Sequence, residues 1–280
     1  MPAMILEGGT FRPIFSAGVM DALLEEGIMF PYCIGVSAGI TNGFSYISRQ
    51  VGRNLEILKT YRHNKRYVGF GNFFRCKSLF GLEFAFEEIP DKWIPFDWET
   101  FRTYKGKYLV GLTNARTGRS EYFDGMKLDR KNTMIKATCA IPLVFPPISL
   151  NGEEYYDGGI CDPIPVRKAM KDGNEKFLLV LTRPKGYRKE LTSANKAAAK
   201  ILRHKYPNLV KPLLQRHIQY NQTVAFCEQL EAEGKAVLLR PEGEGIIDSF
   251  EKDLSKIETS YEYGRNLAKR RMGEILTLFK

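Results

Sequence analysis

The sequence predicts an α/β fold in which helices cover a parallel sheet. Two observations carry this. Residues 3–47 alternate strand, helix, strand, helix, and short apolar runs of strand length return at 177–182 and 235–240. A chain of 280 residues can bury the core of one large domain. It contains no internal repeat, low-complexity segment or linker, so a single domain over 1–280 is expected.

Each element has a local reason. Residues 3–7 read as a short buried strand, followed by the turn Gly8-Gly9-Thr10. Pro13 suits the first turn of a helix that places Phe15, Val19, Ala22 and Leu23 on one face and stops at Gly27. Residues 32–36 read as a second strand, and the helix beginning just after Ser37 carries Ile40, Phe44 and Ile47 on one face. Residues 61–104 hold 13 of the 34 aromatic side chains, Trp93 and Trp98 included, with little periodicity. They read as an aromatic-rich insertion of loops and short helices over one end of the sheet, acting as a lid or as core beneath loops. Residues 108–113 and 120–123 read as strands joined at the Gly118 turn. Residues 132–140 read as helix, the proline-rich run 141–147 as irregular, and 154–156 as a strand leading into Asp157-Gly158-Gly159. Two basic helical stretches, 192–233 and 249–279, make up most of a helical C-terminal part, 192–280.

Composition narrows the function classes. The net charge is +10, a sign that favours phospholipid headgroups, nucleic acid or phosphorylated small molecules, or that serves solubility alone. No nucleic-acid recognition module is present, so no nucleic-acid partner is expected. Five cysteines without a Cys-x-x-Cys pair argue against a disulfide framework and for a reducing compartment. His63, His204 and His217 lack metal-ligand spacing, so no metal and no cofactor are expected. Glu7 interrupts the short apolar start, and no run approaches the ~20 apolar residues of a membrane span. The expectation is a cytoplasmic protein, soluble or peripheral to a membrane.

Three turns carry chemistry. Gly35-Val36-Ser37-Ala38-Gly39 has the Gly-x-Ser-x-Gly pattern of a nucleophile elbow between strand and helix. Glycine at 35 and 39 removes side chains that would collide with neighbouring elements, and Ser37 stands at a helix N-terminus that favours developing negative charge. The alternative is a purely structural turn. Gly8-Gly9 is suited to aiming backbone N–H groups at an anion, as an oxyanion hole or a phosphate cradle, or to shaping the backbone alone. Neither Gly-x-Gly-x-x-Gly nor the Walker pattern is present. Arg12 just beyond suits orienting this loop, meeting an anion, or an ordinary surface position. Asp157-Gly158-Gly159 is by itself a common turn. It gains weight because no histidine lies in a motif-like context, and a partly dehydrated carboxylate serves as a base.

Order and spacing bring these turns together. Glu7-Gly8-Gly9-Thr10-Phe11-Arg12, then Gly35-Val36-Ser37-Ala38-Gly39, then Ala140-Ile141-Pro142 with Phe145-Pro146-Pro147, then Asp157-Gly158-Gly159 resemble the patatin-like phospholipases, in particular the bacterial members. The resemblance covers roughly residues 4–165 and little of the last hundred. It implies a three-layer α/β/α sandwich with a mostly parallel central sheet and a Ser–Asp dyad without histidine. Ser37 would be the nucleophile and Asp157 the general base. The amides of Gly8, Gly9 and Thr10 would form the oxyanion hole, with Arg12, Gly35 and Gly39 in support. The family's first turn reads Asp or Glu, three glycines, any residue, Arg, Gly. Here Thr10 replaces the third glycine and Pro13 the last. Thr10 keeps its amide but adds a β-branched side chain, and Pro13 removes an N–H. Loss of one oxyanion donor costs about 3–4 kcal/mol in comparable sites.

The expected function is a serine acyl hydrolase that cleaves carboxylic esters of lipids through an acyl-enzyme, as a phospholipase A, lysophospholipase or esterase. The alternative, favoured by Thr10 and Pro13, is a non-catalytic or weakly active protein that binds an acyl lipid or phosphoryl ligand on the same fold. The aromatic segment and the positive charge imply peripheral contact with an anionic membrane.

Overall fold

The structure, a computed structural model, describes residues 1–280. Eight strands form one sheet: β1 (Pro2–Leu6), β2 (Tyr32–Val36), β3 (Lys107–Asn114), β4 (Ser120–Asp124), β5 (Ile148–Leu150), β6 (Glu153–Asp157), β7 (Lys176–Val180) and β8 (Ala236–Leu239). Their order is β5-β6-β3-β2-β1-β7-β8, with β4 pairing along the outer edge of β3. The run β3-β2-β1-β7-β8 is parallel, whereas β4, β5 and β6 are added antiparallel. The sheet is thus mostly parallel, as the opening alternation predicts. Leu6 lies opposite both Gly35 and Val180, so β1, β2 and β7 end side by side. In open α/β sheets this carboxyl edge is where ligands bind.

Alternation along the strands sorts the layers. Met4, Leu6, Leu178 and Val180 point into one core. It is covered by α1 (Ile14–Glu25) and α2 (Ser37–Ile47), then α10 (Leu254–Arg270) and α11 (Met272–Thr277). Ala3, Ile5, Phe177 and Leu179 point the other way, toward α7 (Val166–Lys171) and α9 (Val210–Ala232). Both faces of β1 and β7 are therefore apolar, as a buried parallel strand requires.

Residues 61–104 hold α4 (Gly71–Cys76), a wide-turn helix at Phe84–Trp93 and α5 (Trp98–Thr103), after α3 (Arg53–Tyr61). The predicted helix at 132–140 is the shorter α6 (Thr133–Thr138). The basic stretch 192–233 is not one helix. It divides into α8 (Ser193–Leu202) and α9, because the residue before Pro207 is disfavoured in helical conformation. In the second basic stretch α10 begins only at Leu254. Neither α7 nor β5 has a periodic signal long enough to read.

The largest difference concerns α1. An amphipathic helix with one buried face was expected, yet every residue from Ile14 to Leu23 is buried. The reason is α10, which crosses its outer side. A Cβ on Gly18 would stand 2.0 Å from the Tyr261 carbonyl oxygen, and one on Gly264 2.1 Å from the Phe15 carbonyl oxygen. Two backbones thus meet where neither helix carries a side chain, and β8 and α10, both late in the chain, complete the sheet and cover α1. Replacing Gly18 by Ala should force the helices apart and lower stability by roughly 1–3 kcal/mol, as overpacking typically does. Urea unfolding of the variant checks this, and an unchanged midpoint would contradict the contact.

Candidate active site

At the carboxyl edge the chain passes from β2 into α2 with a single residue in a left-handed conformation, Ser37 at φ +55°. That conformation is costly for a non-glycine residue and persists only where the surroundings impose it. They do so through contacts that exclude Cβ atoms. A Cβ on Gly35 would lie 2.4 Å from the Leu6 carbonyl oxygen, and one on Gly39 2.2 Å from the Glu7 carbonyl oxygen. Thr138 fixes the turn further. Its hydroxyl accepts from the Ser37 amide at 2.8 Å and donates to the Gly111 carbonyl at 2.8 Å, tying the elbow to β3.

The loop after β1 packs directly on this serine. A Cβ on Gly8 would stand 2.6 Å from Ser37 Cβ and 3.4 Å from its Oγ. Glu7 anchors the loop from below: one carboxylate oxygen accepts from the Thr182 amide at 2.6 Å, the other from the Tyr220 hydroxyl at 3.0 Å. The amides of Gly8, Gly9 and Thr10 donate to no acceptor in the protein, whereas Glu7, Phe11 and Arg12 each donate to a backbone carbonyl at 3.1 Å. Consecutive free amides of this kind make an anion-binding concavity. Gly9 at φ +152° lies over the Arg12 guanidinium, in a backbone conformation that side chains rarely adopt. Thr10 at φ +57° is β-branched and strained. Pro13 is the N-cap of α1, where the first amides lack intrahelical partners in any case.

Asp157 closes the site from β6. Its amide donates to the Ala140 carbonyl at 2.9 Å, and its own carbonyl accepts from the Thr113 hydroxyl at 2.9 Å. The carboxyl is buried and accepts from the Gly159 amide at 2.7 Å. Burial raises its pKa above the ordinary aspartate range; the Ser37 hydroxyl facing it, the Arg216 charge and the Gly159 N–H oppose that rise. Arg216, on α9, is held in place by donating from Nε to the Gly159 carbonyl at 2.6 Å.

The structure therefore brings Ser37, Asp157, Gly8, Gly9, Thr10, Gly35 and Gly39 together, with Arg12 beneath the loop. His63 and His204 are exposed, and no hydrogen bond of Ser37 or Asp157 involves a histidine. Cys139 lies beside Ser37, but burial pushes its thiol up to about 12, which keeps it protonated. Sequence reasoning missed Thr138 and Arg216. Thr138 immediately precedes the Cys139-Ala140-Ile141-Pro142 run, a usable signal, whereas Arg216 is one of many cations in a basic helix.

Beside Ser37 and Thr10 opens a cavity of about 150 Å³ lined mainly by apolar side chains, among them Phe44, Ile57, Phe80, Phe86 and Phe145. The aromatic segment supplies much of this wall.

A model of the patatin-like phospholipase family matches residues 4–136 and 132–170, more than half of the chain. A second, described as a domain of unknown function (DUF6363), matches residues 206–280. The chain is 29% identical over 191 residues to "Uncharacterized protein YjjU" of Escherichia coli strain K12, covering 65% of this chain and 52% of that protein. It is 23% identical over 294 residues to "Lysophospholipase NTE1" of Yarrowia lipolytica, covering 97% of this chain and 19% of that protein. A protein of the same name from Cryptococcus neoformans is 26% identical over 195 residues, 63% of this chain and 11% of that protein. The chain thus spans about half the length of the bacterial relative and a fifth or less of the fungal ones.

Carboxyl NMR of aspartate-labelled protein should find Asp157 titrating above the ordinary value of 3.8. In Arg216→Met it should titrate higher still, because a cation that favours the carboxylate has been removed. A lower value in the variant would contradict the assigned electrostatics.

Proposed function

The chain belongs to the patatin-like phospholipase family, a family of lipid hydrolases, and on that premise we propose that it cleaves carboxylic esters of lipids with Ser37 as nucleophile and Asp157 as general base. The observation that supports this most strongly is the strained Ser37, held between a buried carboxyl and three amides that donate to nothing in the protein. Asp157, as the carboxylate, accepts the Ser37 proton while Oγ bonds to the ester carbonyl carbon. The carbonyl oxygen takes the electron pair and is held by the amides of Gly8, Gly9 and Thr10 at the N-terminal end of α2. The tetrahedral intermediate collapses, the C–O bond to the alcohol breaks, and Asp157 returns its proton to the leaving oxygen. Water then gives a proton to Asp157 and attacks the acyl-serine, and the bond to Oγ breaks as Asp157 returns that proton to Ser37, releasing the carboxylic acid and regenerating both residues. The acyl chain would occupy the apolar cavity beside Ser37. Burial suits Asp157 to this work, since a raised pKa makes its carboxylate a stronger base than an exposed one.

Hydrolysis of p-nitrophenyl butyrate should fall by about a thousandfold or more in Ser37→Ala and in Asp157→Asn, alone and combined, with unchanged thermal midpoints. Turnover in Ser37→Ala equal to wild type would end this reading. The strained Thr10 supports a second reading, a protein that holds an acyl lipid without cleaving it. Tight binding of the ester with no turnover would select it.

A lipid bilayer is the proposed source of substrate. Phe74 is 93% exposed and Phe70 84%, and Phe73 and Trp93 of the same segment are exposed too. Exposed Lys65, Arg66, Arg75, Lys77 and Lys92 occur in the same segment. The segment also lines the cavity through Tyr67 and Phe80, so docking would bring the cavity to the lipid. Burying one phenylalanine contributes about 1.5–3 kcal/mol, and basic residues add attraction to anionic headgroups. Phe70→Ser with Phe74→Ser should lower sedimentation with phosphatidylglycerol vesicles at least tenfold and leave p-nitrophenyl butyrate hydrolysis intact. Equal sedimentation of variant and wild type would rule this surface out.

A further inference from the structure

The far side of the glycine loop, away from the apolar cavity, holds four cationic side chains. Arg12 lies under Gly9 and Arg216 is bound to the Gly159 carbonyl at 2.6 Å. Lys189 Nζ stands 4.6 Å from the centre of the Tyr220 ring, and the Arg183 guanidinium 4.4 Å from that of Tyr187. These two rings meet edge to face at 6.1 Å. None of the four cations lines the apolar cavity, and none makes a salt bridge, although exposed cations elsewhere do.

Their neighbouring carboxylates are already committed. Both oxygens of Glu7 are hydrogen-bonded, to Thr182 and to Tyr220, and Asp157 faces Ser37 and Gly159. Arg12 is only 8% exposed, and its Nε, like that of Arg183, is buried without an acceptor. Buried donors of this kind are ordinarily satisfied. The crowding is electrostatically costly: burial and the Arg216 charge, with Arg12 and Arg183 adding to them and only Glu7 opposing, depress the Lys189 amine to about 7. An anion seated beside these cations would offset their mutual repulsion and reverse that depression.

We propose that Arg12, Arg183, Lys189 and Arg216 form a subsite for a dianionic phosphate monoester, and that the acyl esters cleaved at Ser37 carry this group on the alcohol side. The assignment rests on the acyl-hydrolase reading and narrows it to acyl esters with a terminal phosphate, over neutral glycerides. The glycine loop divides the two halves of such a substrate. Thr10 and Phe11 face the apolar cavity, where the chain goes, and Gly9 lies against Arg12, where the phosphate goes. Guanidinium and ammonium groups bind phosphate through charge-assisted hydrogen bonds, roughly twice as strong as neutral ones.

Two arms test this with the full chain and with Arg183→Met and Lys189→Met. Calorimetric titration with inorganic phosphate needs no turnover. Wild type should bind with proton uptake near pH 7.5, and each variant should bind about tenfold more weakly. Wild type that binds phosphate no better than the variants overturns the subsite, whatever the activity. Kinetics with 1-oleoyl lysophosphatidate, 1-oleoylglycerol and p-nitrophenyl butyrate then identify the source of the phosphate. The lysophosphatidate should be preferred over the glyceride by tenfold or more, and each variant should lose that preference while cleaving p-nitrophenyl butyrate at the wild-type rate. Phosphate binding with equal turnover of the two lipids overturns the substrate assignment and points to free phosphate as the occupant. Absence of p-nitrophenyl butyrate turnover in wild type removes the hydrolase reading on which that assignment rests, and with it the assignment, while the titration still decides the subsite.

Discussion

Everything at the carboxyl edge depends on how closely β1 and β2 approach each other as they end. The approach is too tight for side chains: Gly35 and Gly39 lie against the carbonyls of Leu6 and Glu7, and Gly8 lies against Ser37 Cβ. Only with glycine at these positions can the chain turn from strand to helix in one residue, and that residue then takes a left-handed backbone. The same contact places the free amides of the Gly8–Thr10 loop beside the serine it projects. The strain at Ser37 and the site around it thus have one cause. Register supplies the rest, because Leu6 opposite Gly35 and Val180 aligns the loops after β1, β2 and β7.

Charge is distributed with equal economy around that edge. Asp157 is removed from water, which raises its basicity, while Arg216 and the Gly159 N–H limit the rise. Glu7 spends both oxygens on holding the loop to Thr182 and Tyr220. Arg12, Arg183 and Lys189 crowd together with only Glu7 opposing their repulsion, and none of them lines the apolar cavity. The acyl ester proposed as substrate, with one apolar and one anionic end, would match this division. No helix is long and apolar enough to cross a membrane.

The parallel core was legible because its signals are local. β2 matches the expected 32–36, since an apolar run there ends at a glycine-flanked serine. The turns at Gly8, Ser37 and Asp157 were legible for the same reason, with their order and spacing adding to each. What escaped depends on partners distant in sequence. The all-round burial of α1 follows from α10, more than two hundred residues later, and no periodicity within α1 announces it. Arg216 and Lys189 are ordinary cations in a chain with 42 Lys and Arg, until α9 and the loop after β7 carry them to the site. Thr10 and Pro13 looked like threats to an oxyanion role for the loop after β1. The strain at Thr10 is present, but Pro13 lies at the start of α1, and three free amides remain before it.

The central claim is that Ser37 is a nucleophile activated by Asp157. Its most direct test is covalent: incubation with a fluorophosphonate, intact mass, and peptide mapping. The account predicts one adduct per chain, carried by Ser37, and labelling of Asp157→Asn slower by a hundredfold or more. An adduct on another residue, or an Asp157→Asn protein that labels as fast as wild type, would contradict it.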